Sequence, residues 1–176
     1  MSDEIIDEEM EIMNEPAKTS KPFDSHTFMR PVKDLNFPAP VMLDIEETVQ
    51  DAIMFMQVKQ FGCVLITEKH QLVGILTERD IIAKAIGDDK DFHSQKVRDI
   101  MTPNPEAFQS DDSLGFIMKA MTVGGYRHVP IVDADNTPVG IISVRDIIAF
   151  IVEHFPEEVL NLPPKPMRLT KEREGA

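Results

Sequence analysis

The chain has 176 residues, 42% of them hydrophobic and 28% charged, with 13 Pro, 8 Gly, one Cys and no Trp; this fits one globular domain or two small ones and excludes a large multidomain enzyme. The formal charge is −13, and residues 1–15 supply seven acids and no base, leaving −6 for the remainder, a balance that disfavours sequence-independent nucleic-acid binding. The single Cys63 can form no intramolecular disulfide, no apolar run approaches the roughly 18 residues of a membrane span, and no charged-then-apolar leader opens the sequence, so a reducing cytoplasmic setting is expected.

Residues 1–28 are acidic, interrupted by proline and weakly periodic, and read as a flexible tail that cannot bury enough apolar area to offset the entropy of ordering. The body then contains one unit twice. Val32-Lys33-Asp34-Leu35 recurs as Val97-Arg98-Asp99-Ile100, and Pro38-x-Pro40 as Pro103-x-Pro105, both at an offset of 65. The stripe Val49, Ala52, Ile53, Met56 has the i, i+3, i+4, i+7 spacing of an amphipathic helix and returns as Leu114, Ile117, Met118, Met121. Behind each helix come two β-type runs, 63–67 and 72–77 in the first copy and 128–132 and 138–143 in the second, each pair forming a hairpin. The second turn is one residue longer, so Val73 to Ala83 aligns with Val139 to Ala149 at an offset of 66, and a last amphipathic helix closes each unit. The predicted organisation is a tail at 1–28, units at 29–92 and 93–160, and a second flexible tail at 161–176, with a short helical turn near 156–162. Each unit alone is too small to bury an adequate core. The fold class is therefore α+β: two pseudo-symmetric βαββα units packed face to face, three-stranded sheets flanked by helices, with clefts where the halves meet.

These residues resemble a known family, the tandem cystathionine-β-synthase (CBS) domain pair or Bateman module, over roughly residues 30–154. The most specific elements are Asp99-Ile100-Met101-Thr102-Pro103, the strand Arg127 to Asp133, and Gly-Ile-Ile/Leu-Ser/Thr-x-x-Asp-Ile-Ile, present twice. The first copy departs from the pattern, with Asn36-Phe37 where Met101-Thr102 stand and Gly62-Cys63 where Arg127-His128 stand. The resemblance implies a free-standing regulatory module without catalysis. It also implies binding of adenosine compounds (AMP, ADP or ATP, with S-adenosylmethionine or NAD as the alternative) in the interdomain clefts, a flat homodimer joined through helices, and a separate protein partner that reads the bound state.

Thr77-x-x-Asp80 and Ser143-x-x-Asp146 have the spacing of a helix capping box. The same placement suits a nucleotide, because the start of a helix attracts phosphate and an ionised carboxylate accepts two hydrogen bonds from a ribose diol. In the family the Asp meets ribose and the Ser or Thr the phosphate side, and the resemblance carries these roles to Asp80, Asp146, Thr77 and Ser143. It assigns Arg127 and His128 to phosphate, though neighbouring strand residues point to opposite faces and only one of them is expected to reach a ligand unless the backbone bends. Arg79 and Arg145 either approach phosphate or form surface ion pairs. The base is implied to lie against the segment leading into the opposite copy, so Asp146, Ser143, Arg127 and His128 combine with 36–42 (Asn36, Phe37, Met42), and Asp80 and Thr77 with 102–108 (Thr102, Ala107). The Asp146 pocket, with more cationic help, is the expected site for a phosphorylated ligand.

Met54, Met56, Met118 and Met121 read as core or dimer-interface packing and Cys63 as a small buried hydrophobe. The dispersed histidines lack zinc-site spacing, and Gly124-Gly125 reads as a helix C-cap. No nucleophile, base and orienting group can be assembled, so no enzyme is expected. Two alternatives stay open: a ligand-free homodimeric scaffold whose clefts are filled by side chains such as Phe37 or Met42, and nucleic-acid regulation through the tail residues Lys165, Arg168, Lys171 and Arg173.

Overall fold

The computed structural model describes residues 25–35, 37–85 and 91–154. Asn36, the acidic segment up to residue 24 and everything from residue 155, including the turn expected at 156–162 and the basic tail, lie outside the described residues.

In chain order the elements are α1 (Ser25–Met29), a 3-10 turn (Val32–Asp34), β1 (Met42–Asp44), α2 (Val49–Lys59), β2 (Cys63–Glu68), β3 (Gln71–Thr77) and α3 (Glu78–Asp80), which runs on as π-helix over Ile81–Ala85. A second 3-10 turn (Val97–Asp99) opens the other copy, followed by β4 (Thr102–Pro103), β5 (Phe108–Gln109), α4 (Leu114–Gly124), β6 (His128–Val132), β7 (Pro138–Ser143) and α5 (Val144–His154).

Each copy's first helix begins where the sequence supplies a cap. Thr48 accepts from the Asp51 backbone N–H at 3.2 Å while Asp51 accepts from the Thr48 N–H at 3.1 Å, and Ser113 caps α4 by accepting from Phe116 N–H. Both helices end on a left-handed residue, Gln60 (φ 54°) in α2 and Gly125 (φ 68°) in α4, whose N–H groups return to Met56 and Met121. The predicted stripes face inward: Val49, Ala52 and Met56 are buried on α2, and Leu114, Ile117 and Met121 on α4.

Strand β2 is buried on both faces, which is why it reads as a continuous apolar run rather than an alternating one. Val64 and Ile66 join Val49, Ala52, Met56 and Leu76 in a core under α2. Cys63 and Leu65 point the other way, into a second core with Leu72, Ile75, Val132 and Ile141 that seals the two sheets face to face. The hairpin tips interlock there: Leu72 N–H donates to the Asn136 carbonyl at 2.9 Å and Asn136 Nδ2 returns to the Leu72 carbonyl at 3.0 Å.

The segments leading into the copies are exchanged. Val32 N–H bonds to the Asp112 carbonyl and Leu114 N–H to the Arg30 carbonyl, while Val97 N–H bonds to the Glu47 carbonyl and Val49 N–H to the Gln95 carbonyl. Lys33–Asp111 (2.6 Å) and Arg98–Glu46 are the matching ion pairs, one repeat length apart. The exchange corrects the expectation of three strands per sheet. β4, from the second copy, adds antiparallel to β3 (Gly74↔Pro103, Ile75↔Thr102), so one sheet runs β1-β2-β3-β4 and the other β5-β6-β7.

Two further differences from expectation have local causes. The helix α1 begins within the last residues of the expected tail, 25–28, and lies on α4, where the absence of a side chain at Gly115 lets Phe28 approach. The closing helix of the first copy is not a regular one among the described residues: it widens into a π-turn after Asp80, whereas its counterpart α5 runs eleven residues.

Candidate nucleotide-binding cleft

The capping boxes form in both copies and aim their carboxylates into a shared cleft of about 960 Å³, within the size range of small-molecule sites. Thr77 N–H and Oγ1 donate to Asp80 Oδ2 at 3.0 and 2.6 Å, and Asp80 N–H donates to Thr77 Oγ1 at 3.2 Å. Ser143 and Asp146 repeat this at 2.7, 2.6 and 3.2 Å. In both boxes the hydroxyl donates to its own carboxylate and accepts from the Asp N–H, so a phosphate contact from Thr77 or Ser143 requires the hydroxyl to turn away from the box.

The outer carboxylate oxygens differ. Asp80 Oδ1 accepts from Lys84 Nζ at 2.8 Å and from Thr102 Oγ1 at 3.3 Å. Burial alone would raise this carboxyl, but the hydrogen bonds from Lys84 and Thr77 outweigh it and hold it below the usual carboxylate value. Asp146 Oδ1 has no partner among the described residues.

Arg127 and His128 both line the cleft. Arg127 precedes β6, so strand alternation does not separate it from His128, and its carbonyl accepts from Val144 N–H at 3.0 Å. His128 lies over Gly62, about 3.5 Å from where a β-carbon would stand, an ordinary van der Waals distance, so the ring packs against this position without itself requiring glycine there. Burial, with Arg127 beside it, pushes the imidazole below its usual value against the opposing pull of Asp146 and Glu78. It is therefore neutral at pH 7. Arg79 and Arg145 also line the cleft, and no described residue forms an ion pair with Arg79, Arg127 or Arg145.

Of the other predicted residues, Thr102 lines the cleft. Phe37 does not; its ring covers Gly140 on β7. Met42 is exposed on β1, paired with Leu65, and Ala107 packs at the edge of the core between the sheets, so neither reaches the cleft. Asn36 lies outside the described residues. Neither Phe37 nor Met42 fills the opening.

Several lining residues were not anticipated. Tyr126 lies over Gly124 and donates to the Glu106 carboxylate; burial, then Glu106, pushes its hydroxyl up to about 12. Phe61, one repeat length earlier, lines the cleft as well, so the repeat offset itself was the available signal. Asn104 adopts φ 46° beside the opening although it precedes Pro105, a position that disfavours helical backbone. Among the described residues no group of His, Cys, Asp and Glu could hold a metal ion, and no helix is long and apolar enough to cross a membrane.

Two sheets that exchange lead-in segments around a shared cleft, with a hydroxyl-to-carboxylate cap opening the last helix of each copy, define a tandem-repeat module. The family model of the CBS domain matches residues 32–87 and 97–153, and the chain belongs to that family as a CBS domain pair. It is 32% identical over 103 residues to the CBS domain-containing protein CBSCBSPB5 of Arabidopsis thaliana (58% of this chain, 19% of that protein). It is 30% identical over 122 residues to the mitochondrial CBS domain-containing protein CBSX3 of the same organism (66% and 59%). The chain thus spans from a fifth to three fifths of the length of these relatives. The CBS domain pair of protein MJ0100, solved in complex with 5′-methylthioadenosine and S-adenosyl-L-methionine, superposes with a TM-score of 0.63 at 25% identity, covering 70% of this chain and 96% of that one.

Proposed function

We propose that this CBS pair is a non-catalytic regulatory module that binds a phosphorylated adenosine nucleotide of the AMP, ADP or ATP type at Asp146, and that binding alters the packing of the two halves for a partner protein to read. One observation carries the reading: Asp146 Oδ1 faces the cleft with no described protein partner, in company with Arg79, Arg127 and Arg145, which are likewise free of ion pairs. A carboxylate with an open oxygen suits a ribose diol, and unpaired guanidinium groups suit phosphate oxygens. The adenosine compounds bound by the MJ0100 pair support the base and sugar. The three arginines favour a phosphate-bearing ligand over S-adenosylmethionine, whose sulfonium they would repel.

The exposed apolar residues Met54 and Val58 on α2, Phe116 and Val123 on α4, and Val144 and Ile148 on α5 support a homodimer joined through helices. Sedimentation equilibrium tests it, and a monomer at micromolar concentration overturns it.

Titration calorimetry with AMP, ADP, ATP, S-adenosylmethionine and NAD tests the ligand. Binding of a phosphorylated adenosine compound, lost in Asp146→Asn, is the expected result. Silence toward all five defeats the reading. At a ligand concentration 100 times Kd the protein gains about 2.7 kcal/mol, equivalent to roughly 5–11 °C in Tm for a chain of this size.

A further inference from the structure

The two halves of the cleft are built from one motif and yet are not equally available. The outer oxygen of Asp80 is occupied from two sides: Lys84, one helical turn on, reaches it at 2.8 Å, and Thr102, from the lead-in segment of the other copy, donates to it at 3.3 Å. Lys84 is fixed at a second point, since its Nζ also donates to the Ile100 carbonyl at 3.0 Å. The ammonium therefore bridges the start of α3 to the turn just ahead of β4 and, although Lys84 itself does not line the cleft, it ties up the outer oxygen of Asp80, which does. At the related positions the second half has Phe150 for Lys84 and Phe37 for Thr102, and neither can donate to a carboxylate. Phe150 is buried and Phe37 is turned onto Gly140, so Asp146 keeps an open oxygen.

We infer that Lys84, by holding the outer oxygen of Asp80, masks that carboxylate from a ligand, so that each chain takes one nucleotide, at Asp146, and that this side chain sets the stoichiometry. The inference rests on the nucleotide reading above. A tethered cation competes at high effective concentration with an incoming diol, because it loses no translational freedom on binding. Removing it leaves Asp80 with the same cap, with a neighbouring Arg79 that corresponds to Arg145, and with an outer oxygen held only by the longer 3.3 Å contact from Thr102.

The experiment is calorimetric titration of the full chain with AMP, read as sites per chain, on the native protein and on Lys84→Met, Lys84→Arg and Lys84→Met/Asp80→Asn. The expected result is one site in the native protein, two in Lys84→Met, and one again in both Lys84→Arg, which keeps a cation at that position, and the double variant. Thermal unfolding of each variant establishes that it is folded. Two sites in the native protein, or one site in both the native protein and a folded Lys84→Met, overturns the inference and leaves the nucleotide reading standing. Weaker binding at the single site of Lys84→Met also overturns it, by showing that Lys84 helps to hold the ligand. Absence of AMP binding in the native protein and in every variant overturns the inference, and silence toward ADP, ATP, S-adenosylmethionine and NAD as well sinks the nucleotide reading with it, whereas a site that appears in Lys84→Met when the native protein binds no AMP sinks the Asp146 assignment and upholds the role of Lys84.

Discussion

The Phe37 ring occupies the space a side chain would need at Gly140: a β-carbon built there would stand 2.2 Å from Cε2 and 2.5 Å from Cδ2. The matching contact in the other half is Gly74 beneath Met101, where the same β-carbon would stand 2.3 Å from Sδ. In both, a residue leading into one copy closes on a strand of the other, and glycine permits it.

Gly140→Ala should therefore destabilise the protein more than Gly74→Ala. An aromatic ring must move as a plate, whereas methionine has three rotatable bonds with which to swing aside. The expected loss for Gly140→Ala is about 1–3 kcal/mol, the usual cost of overpacking, and Phe37→Leu in the same background should recover part of it. Urea unfolding measures both, and equal losses for the two glycine variants would refute the distinction.

His128 makes stability depend on pH in the mildly acidic range. Its folded pKa lies below the ordinary value of 6.5, so on acidification the unfolded chain takes up a proton before the folded one does. Stability then rises with pH across this window. The contribution is complete above about pH 6.5 and is lost as the pH falls through the lowered folded value. His128→Gln should flatten the native curve of Tm against pH between 6.5 and the acid limb. A variant curve as steep as the native one would assign the slope to other groups.

Much of this was legible in the sequence because the repeat checks itself. Two matched apolar stripes, two hairpins and two capping boxes at offsets of 65 and 66 fix element types that a single copy would leave ambiguous, and the buried faces of α2 and α4 follow the spacing. What the spacing left open is decided between the copies. That β4 joins the other copy's sheet depends on tertiary pairing. That His128 packs over Gly62 emerges only when the two ends of the cleft are brought together. The difference between Asp80 and Asp146 was readable in principle, since Lys84 aligns with Phe150. Reading it requires asking what stands one helical turn beyond each carboxylate.

The first hairpin carries a correctable strain. Glu68 pairs with Gln71 around a two-residue turn in which Lys69 and His70 both adopt positive φ, 51° and 69°. Such turns favour Asn-Gly because left-handed backbone costs ordinary residues roughly 1–2 kcal/mol each. The double change Lys69→Asn/His70→Gly should stabilise the chain by about 1 kcal/mol or more, raising Tm by roughly 2–4 °C per kcal/mol at this size. A calorimetric scan showing no rise would mean that the native pair makes compensating contacts.

Cys63 lines the cleft yet is only 4% exposed. Burial, with Glu78 and Asp146 adding negative charge nearby, pushes its thiol up to about 12. Since the thiolate is the reactive form, very little of it is present at pH 8, and alkylation must wait on opening of the core between the sheets. Native protein at pH 8 should therefore react with iodoacetamide at least about 100-fold more slowly than protein unfolded in urea. A nucleotide that tightens the cleft should slow the reaction further, by suppressing the same opening. Labelling of the native protein at the unfolded rate would show that Cys63 is accessible, and would remove it from the seal between the two sheets.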